Sequence, residues 1–288
     1  MFGVSPAFVF SLYGTGFTVA DFCDALPKIK RLGFSAFQPE VYVASTIPAW
    51  LEGARRISHT AADCGLVPTQ LVAHFLLEAF ASPERLDPEV GLDDLKRAVE
   101  IARTFPACRV VTVPAAQFQM AWEVAASGHE NAWAELHGRV AEKIRRYLGV
   151  VSGAGLRLAF EIAPFSVIGG VRRFLNICEQ IGSPDLGLNL DTGHAWACRE
   201  LVPLLPFELQ GRIFGTHLGD NCSTENVKMP LGQGTVPWAP LLRNLRAAGY
   251  RGSLDIEVVC PADQVERQYA ESLQYLQSLE RAPQGESA

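Results

Sequence analysis

Four ionisable residues each close a short apolar run in the second half of the chain: Glu161 in LAFEIAPF, Asp191 in LNLDTGHA, His217 in GTHLGDN and Glu257 in LDIEVV. Three carboxylates and one imidazole make a hard, oxygen-rich donor set. Gathered in one place, it suits Mn²⁺, Mg²⁺, Co²⁺ or Fe²⁺ better than a structural zinc and leaves coordination positions for substrate oxygens. One divalent ion is therefore expected, Mn²⁺ first, with Zn²⁺ kept among the alternatives. Without a cation the carboxylates would repel one another, so their convergence itself argues for a metal. The chemistry open to such a centre is proton transfer next to a carbonyl, in which a metal polarises the carbonyl and stabilises an enediolate while carboxylates move the carbon-bound proton.

The four residues lie 30, 26 and 40 positions apart, each close to one βα unit in a barrel of about 250 residues and eight units. Eight candidate strands are read over 3–10, 34–40, 67–74, 109–113, 156–161, 186–191, 212–217 and 253–257. Helices are predicted at 18–31, 47–64, 91–104, 130–150, 170–181, 200–208, 237–248 and 263–280. Eight strands, each followed by a helix, predict a single-domain (β/α)8 TIM barrel over residues 1–281, with a short polar tail at 282–288. Alternation along a strand places Arg157, Ala159, Gly187, Asn189, Ile213, Gly215, Ser253 and Asp255 on the inward face with the four ligands. Leu158, Phe160, Leu186, Leu188, Leu190, Phe214, Thr216, Leu254 and Ile256 then face the helices. The long stretches 75–90 and 114–129 follow strands three and four, where a barrel builds its active-site loops, and are candidate lids.

Composition narrows the partners. A formal charge of -6 and an isoelectric point near 5.6 argue against nucleic acid. Seven cysteines, odd in number and never in a C-x-x-C pair, suggest neither a disulfide framework nor a cysteine-zinc site. The opening MFGVSPAFVF has no basic leader region, and no apolar run reaches the roughly 18 residues needed to span a bilayer. The expectation is a cytoplasmic protein with no membrane partner, acting on a small molecule; whether it forms a homo-oligomer is left open.

The sequence resembles the xylose isomerase-like TIM-barrel superfamily, in particular its sugar-phosphate isomerase/epimerase branch. The resemblance spans nearly the whole chain and is carried by D-T-G-H at Asp191 to His194, T-H-L-G-D at Thr216 to Asp220, P-L-G-Q-G at Pro230 to Gly234 and D-I-E at Asp255 to Glu257. It implies metal ligands at Glu161, Asp191, His217 and Glu257, and proton transfer by Glu161 and Glu257. It also implies that His194 hydrogen-bonds a substrate oxygen, where the bland alternative is a loop-capping imidazole. The chain departs from the trinuclear-zinc endonuclease pattern at Lys228 and Asn226, where that pattern has a histidine and an aspartate, and no histidine ends strand four. Lys228 is thereby freed to meet a carboxylate or phosphate of a substrate, unless it is simply a solvated lysine.

Glu40 and His74 close strands two and three on the inward parity of Gln38 and Gln70, and are the remaining candidates for substrate contact, though a buried, satisfied histidine is an equally simple account of His74. Trp196, Phe165 and Trp238 are candidate walls or ordinary packing. Gly232 and Gly234 read as a turn, not a nucleotide loop, and Asp220 as a loop residue near the site. The expected activity is isomerisation or epimerisation of a small sugar or polyhydroxy carbonyl compound. Elimination of water on the same centre, and a barrel that binds without turnover, remain as alternatives.

Overall fold

The computed structural model describes residues 1–120 and 132–281. Eight parallel strand positions alternate with helices. They are β1 (Phe2–Val4), β2 in two pieces (Ala36–Phe37 and Glu40–Val41), β3 in two pieces (Val67–Pro68 and Leu71–Ala73), β4 (Val110–Ala115), β5 (Arg157–Ile162), β6 (Leu186–Asp191), β7 (Ile213–His217) and β8 (Leu254–Ile256). The helices are α1 (Ala7–Tyr13), α2 (Val19–Arg31), α3 (Ile47–Asp63), α4 (Leu92–Ala102), α5 (Ala132–Gly153), α6 (Val171–Ile181), α7 (Thr192–Ala197), α8 (Leu205–Glu208), α9 (Trp238–Ala247) and α10 (Val265–Arg281). The chain is a TIM barrel with one core, as the eightfold βα pattern requires. The expected tail at 282–288 and the candidate lid from 121 to 129 lie outside the described residues.

Local chemistry explains the helix starts. Thr18 and Asp21 form a reciprocal capping box at α2, the hydroxyl accepting from the Asp21 amide at 3.2 Å and the carboxylate from the Thr18 amide at 2.8 Å. Pro6 opens α1 with its φ fixed at -58°, and the Ser5 hydroxyl accepts from the Ala7 amide at 3.1 Å. The apolar run that reads as a strand over 3–10 is therefore a strand only to Val4, and Phe8 and Phe10 are helical. A continuous apolar run has no period with which to separate a buried strand from a buried helix. The predicted helix at 200–208 is likewise corrected to two short ones, α7 directly after β6 and α8 at Leu205–Glu208.

Strand pairing runs round the barrel from β1 to β7, and β8 pairs back to β1 through Phe2, Gly3 and Val4 opposite Leu254, Asp255 and Ile256. Gly3 is required there, since a Cβ would lie 2.0 Å from Asp255 Oδ1. The join between β7 and β8 is made partly by a side chain. The Thr216 hydroxyl donates to Ser253 O and accepts from the Asp255 amide, both at 3.0 Å, and the Leu218 amide then continues the ladder to Asp255 O at 2.8 Å.

One register irregularity falls between Leu188 and Asn189, which pair with Ile213 and Gly215 and leave Phe214 as the extra residue of a bulge. Parity before the bulge is reversed as a result. Phe214 points into the barrel with Val110 and Ala159, and Ile213 packs towards the helices, the opposite of the strict alternation read from sequence. After the bulge the alternation holds, so Gly215 and His217 face inward.

Candidate metal centre

The four strand-end residues come together. Glu161 ends the inward row of β5, Asp191 and His217 terminate β6 and β7, and Glu257 follows β8; all four are buried, and one ligand atom from each lies within 4.8 Å of all the others. Asp191 also caps α7, its Oδ1 accepting from the His194 amide at 2.9 Å, and this cap fixes the carboxylate's direction.

Beneath the ligands the barrel interior is polar. Thr112 donates to Gln70 Oε1 at 2.9 Å, Gln70 donates to Asn189 Oδ1 at 2.7 Å, and Asn189 donates to Glu161 Oε2 at 3.0 Å. On the other side Gln38 commits its amide nitrogen to Thr216 O at 3.3 Å, which turns its Oε1 to His217 Nε2 at 2.7 Å. When neutral, His217 therefore carries its proton on Nε2 and turns the Nδ1 lone pair to the carboxylates. That Nδ1 is buried and lies 2.7 Å from Glu161 Oε2 and 3.5 Å from Glu257 Oε1, so it meets Glu161 directly when the ring is charged. Three buried carboxylates and a ring nitrogen converging on one point, with one atom from each within 4.8 Å of the others, are a donor set that fits a divalent ion.

Electrostatics tell the same story. Burial alone would lower the His217 imidazole, but Glu257 and Glu161 lift it to about 9. Burial pushes Glu161 up, and His217, His194 and Lys228 more than reverse it, holding that carboxyl well below its usual range. Burial raises Glu257, against the pull of His217 and Lys228. The pocket attracts positive charge, and a proton takes it up where no metal does.

The other candidates are placed as follows. His194 Nε2 lies 3.5 Å from both Glu161 Oε1 and Asp191 Oδ2, and its Nδ1 is buried without a partner. Glu40 is buried beside the centre with Oε2 unpartnered, and burial holds its carboxyl well above the usual range. His74 is stacked flat on Tyr42, ring centroids 3.8 Å apart, with Nδ1 at 3.4 Å from Tyr42 O, and it makes no hydrogen bond to the four ligands. Lys228 does not hang free. Its ammonium donates to Asp191 Oδ2 at 2.9 Å and to Glu257 Oε2. Trp238 is buried and anchors a loop instead of walling the site, while Phe165 is 79% exposed.

Sequence reasoning missed two functions. Asn226 reaches the centre, its Nδ2 lying 3.3 Å from each Asp191 oxygen, and Gln38 sets the His217 tautomer. Inward parity at Gln38 was the available signal for the latter, because a buried amide must find partners.

A family profile described as xylose isomerase-like TIM barrel matches residues 26–279. The chain belongs to that family. Solved structures agree on the fold at low identity. A zinc-bound IolI protein superposes with TM-score 0.73 at 15% identity, covering 97% of this chain and 96% of that one. The apo 3-keto-D-glucoside 4-epimerase YcjR from E. coli gives TM-score 0.72 at 16% identity, over 91% and 96%. A xylose isomerase-like TIM barrel/4-hydroxyphenylpyruvate dioxygenase fusion protein matches with TM-score 0.69 at 19% identity; 96% of this chain is covered, but the chain spans only 42% of that protein's length. No curated protein matches the sequence. Among the described residues, no helix of this family member is long and apolar enough to cross a membrane.

Proposed function

We propose that the protein is a divalent-metal-dependent isomerase or epimerase of a small sugar or polyhydroxy carbonyl compound. The observation that carries the reading is the convergence of Glu161, Asp191, Glu257 and the Nδ1 of His217 on one buried point. Glu161, Asp191, His217 and Glu257 hold the metal in this reading, Mn²⁺ being preferred for a donor set with three carboxylates. When bound, it supplies Lewis-acid polarisation of the substrate carbonyl. One glutamate removes the proton on the neighbouring carbon, and the other returns a proton to the second carbon or to the opposite face. The two start from different strands, β5 and β8, so they approach the substrate from different sides. His194, with a free ring nitrogen, orients a substrate oxygen. Glu40, whose carboxyl burial raises well above its usual range, faces the substrate beside the centre, and His74 with Tyr42 forms the neighbouring wall. The epimerases among the structural neighbours are consistent with this chemistry.

The test is metal analysis of the purified protein followed by deuterium exchange from D₂O into a panel of ketoses and inososes, wild type beside Glu257→Gln. Bound metal and an exchange rate that falls by about 10²-fold or more in the variant is the expected result. Metal without any exchange would shift the reading to elimination of water, and a protein that retains no metal would refute it.

A further inference from the structure

Lys228 is built into the centre. Its backbone adopts φ +46°, a left-handed conformation that is costly for a lysine, and it is pinned on both sides. The Lys228 amide donates to Asn226 Oδ1 at 3.2 Å, and its carbonyl accepts from the Val259 amide at 3.1 Å. This conformation aims the side chain at Asp191 Oδ2 and Glu257 Oε2. Among the described residues no other lysine or arginine makes an ion pair with the four ligands.

Charge then closes without a substrate. Three ligand carboxylates are matched by a divalent ion and one ammonium, with His217 neutral as a ligand. If the ammonium swung out to a phosphate or carboxylate, it would strip a donor from both Asp191 and Glu257. Among the described residues no other lysine or arginine is aimed into the centre, and His194 faces Glu161 and Asp191 through Nε2. The described connections at the carboxyl ends of the strands carry just two further lysine or arginine side chains, Arg85 and Arg199. Arg85 lies 3.6 Å from Glu78, and Arg199 is exposed on the loop after α7. The same described connections carry Glu78, Glu84, Glu200 and Glu225.

We infer that Lys228 is the counter-ion of the metal centre, not an anchor for a substrate anion, and that the site takes an uncharged polyhydroxy carbonyl compound. An anion placed against a site already balanced, within an acidic rim, meets like charge on approach, and the centre's one ammonium is already engaged by Asp191 and Glu257. The inference rests on the metal-dependent reading for its substrate half.

Two measurements on the full chain test it. In the first, wild type and Lys228→Met are melted in EDTA and again with Mn²⁺. The variant is expected to melt lower in EDTA, where the ammonium is the centre's main counter-charge, and Mn²⁺ should shrink the difference. An equal difference in both conditions, or none, overturns the counter-ion role. In the second, the Mn²⁺-loaded wild type, with the ion held below one equivalent, is titrated with dihydroxyacetone, dihydroxyacetone phosphate and hydroxypyruvate, a set differing mainly in charge. Water-proton relaxation by the bound Mn²⁺ reports occupancy. Dihydroxyacetone should bind at least about tenfold more tightly than either anion. An anion that binds as tightly overturns the substrate class, and so does a failure of all three to bind. If the wild type holds no Mn²⁺, the metal-dependent reading and the substrate class fall together, while the EDTA melt still decides the role of Lys228.

Discussion

Gln38 decides which nitrogen of His217 faces the carboxylates, and it does so from the opposite side of the barrel. Replacing it with leucine keeps the bulk and removes the acceptor for Nε2–H, so the tautomer is no longer fixed. Gln38→Leu should weaken Mn²⁺ binding about 10- to 100-fold, the usual cost of losing an outer partner of a ligating histidine; a metal titration with unchanged affinity would refute this. The convergence of Glu161, Asp191, His217 and Glu257 was legible in the sequence because each ends a strand at a repeat interval and the period of two fixes its face. The Gln38–His217 pairing spans 179 residues, and no local pattern links the two. Lys228 was legible as a residue type but not as a contact, since its direction comes from a left-handed backbone and a carbonyl bonded to the loop after β8.

At the scale of elements, the loop between β7 and α9 hangs on Asp220. That buried carboxylate accepts from the amides of Asn221 (2.9 Å), Gly232 (2.8 Å) and Val236 (3.1 Å) and from Trp238 Nε1 (2.9 Å). Asp220→Ala orphans four donors at once, and a loss of about 3 kcal/mol is expected, with faster amide hydrogen exchange at Gly232 and Val236. The connection after β3 is held differently. Lys143 of α5 is buried, donates to the carbonyls of Ala79 and Arg85, and sits over the rings of Phe80 and Tyr147. Burial lowers its ammonium from the ordinary 10.5 to about 8. Between those values the unfolded chain holds more protons than the fold, so stability rises with pH through that window. Denaturant melts of wild type should therefore gain on those of Lys143→Met from about pH 8 to 10, and parallel curves would show that Lys143 does not titrate there. The order of helices and strands was readable from sequence, but the bulge at Phe214 was not. An inserted residue changes no composition and leaves the apolar run looking regular, yet it exchanges the faces of Ile213 and Phe214.

For the molecule as a whole, the eightfold count followed from spacing alone, whereas the manner of closure did not, because Thr216 completes the β7–β8 join with a hydroxyl. The metal site proposed for this cluster would also link folding to the ion. At one hundred times its dissociation constant, Mn²⁺ should add about 2.7 kcal/mol to the stability of the wild type and much less to Glu161→Gln. Chelation should reverse the gain, and a melting temperature indifferent to Mn²⁺ and EDTA would count against the site. The polar relay from Thr112 through Gln70 and Asn189 to Glu161 bears on engineering. Copying only the four metal-binding side chains onto another eight-stranded scaffold would move the centre without its suspension, and an oily lumen would leave Glu161 and His217 free to turn away. The smallest portable unit includes the amides in the lumen, which makes this centre hard to graft and slow to drift under random substitution.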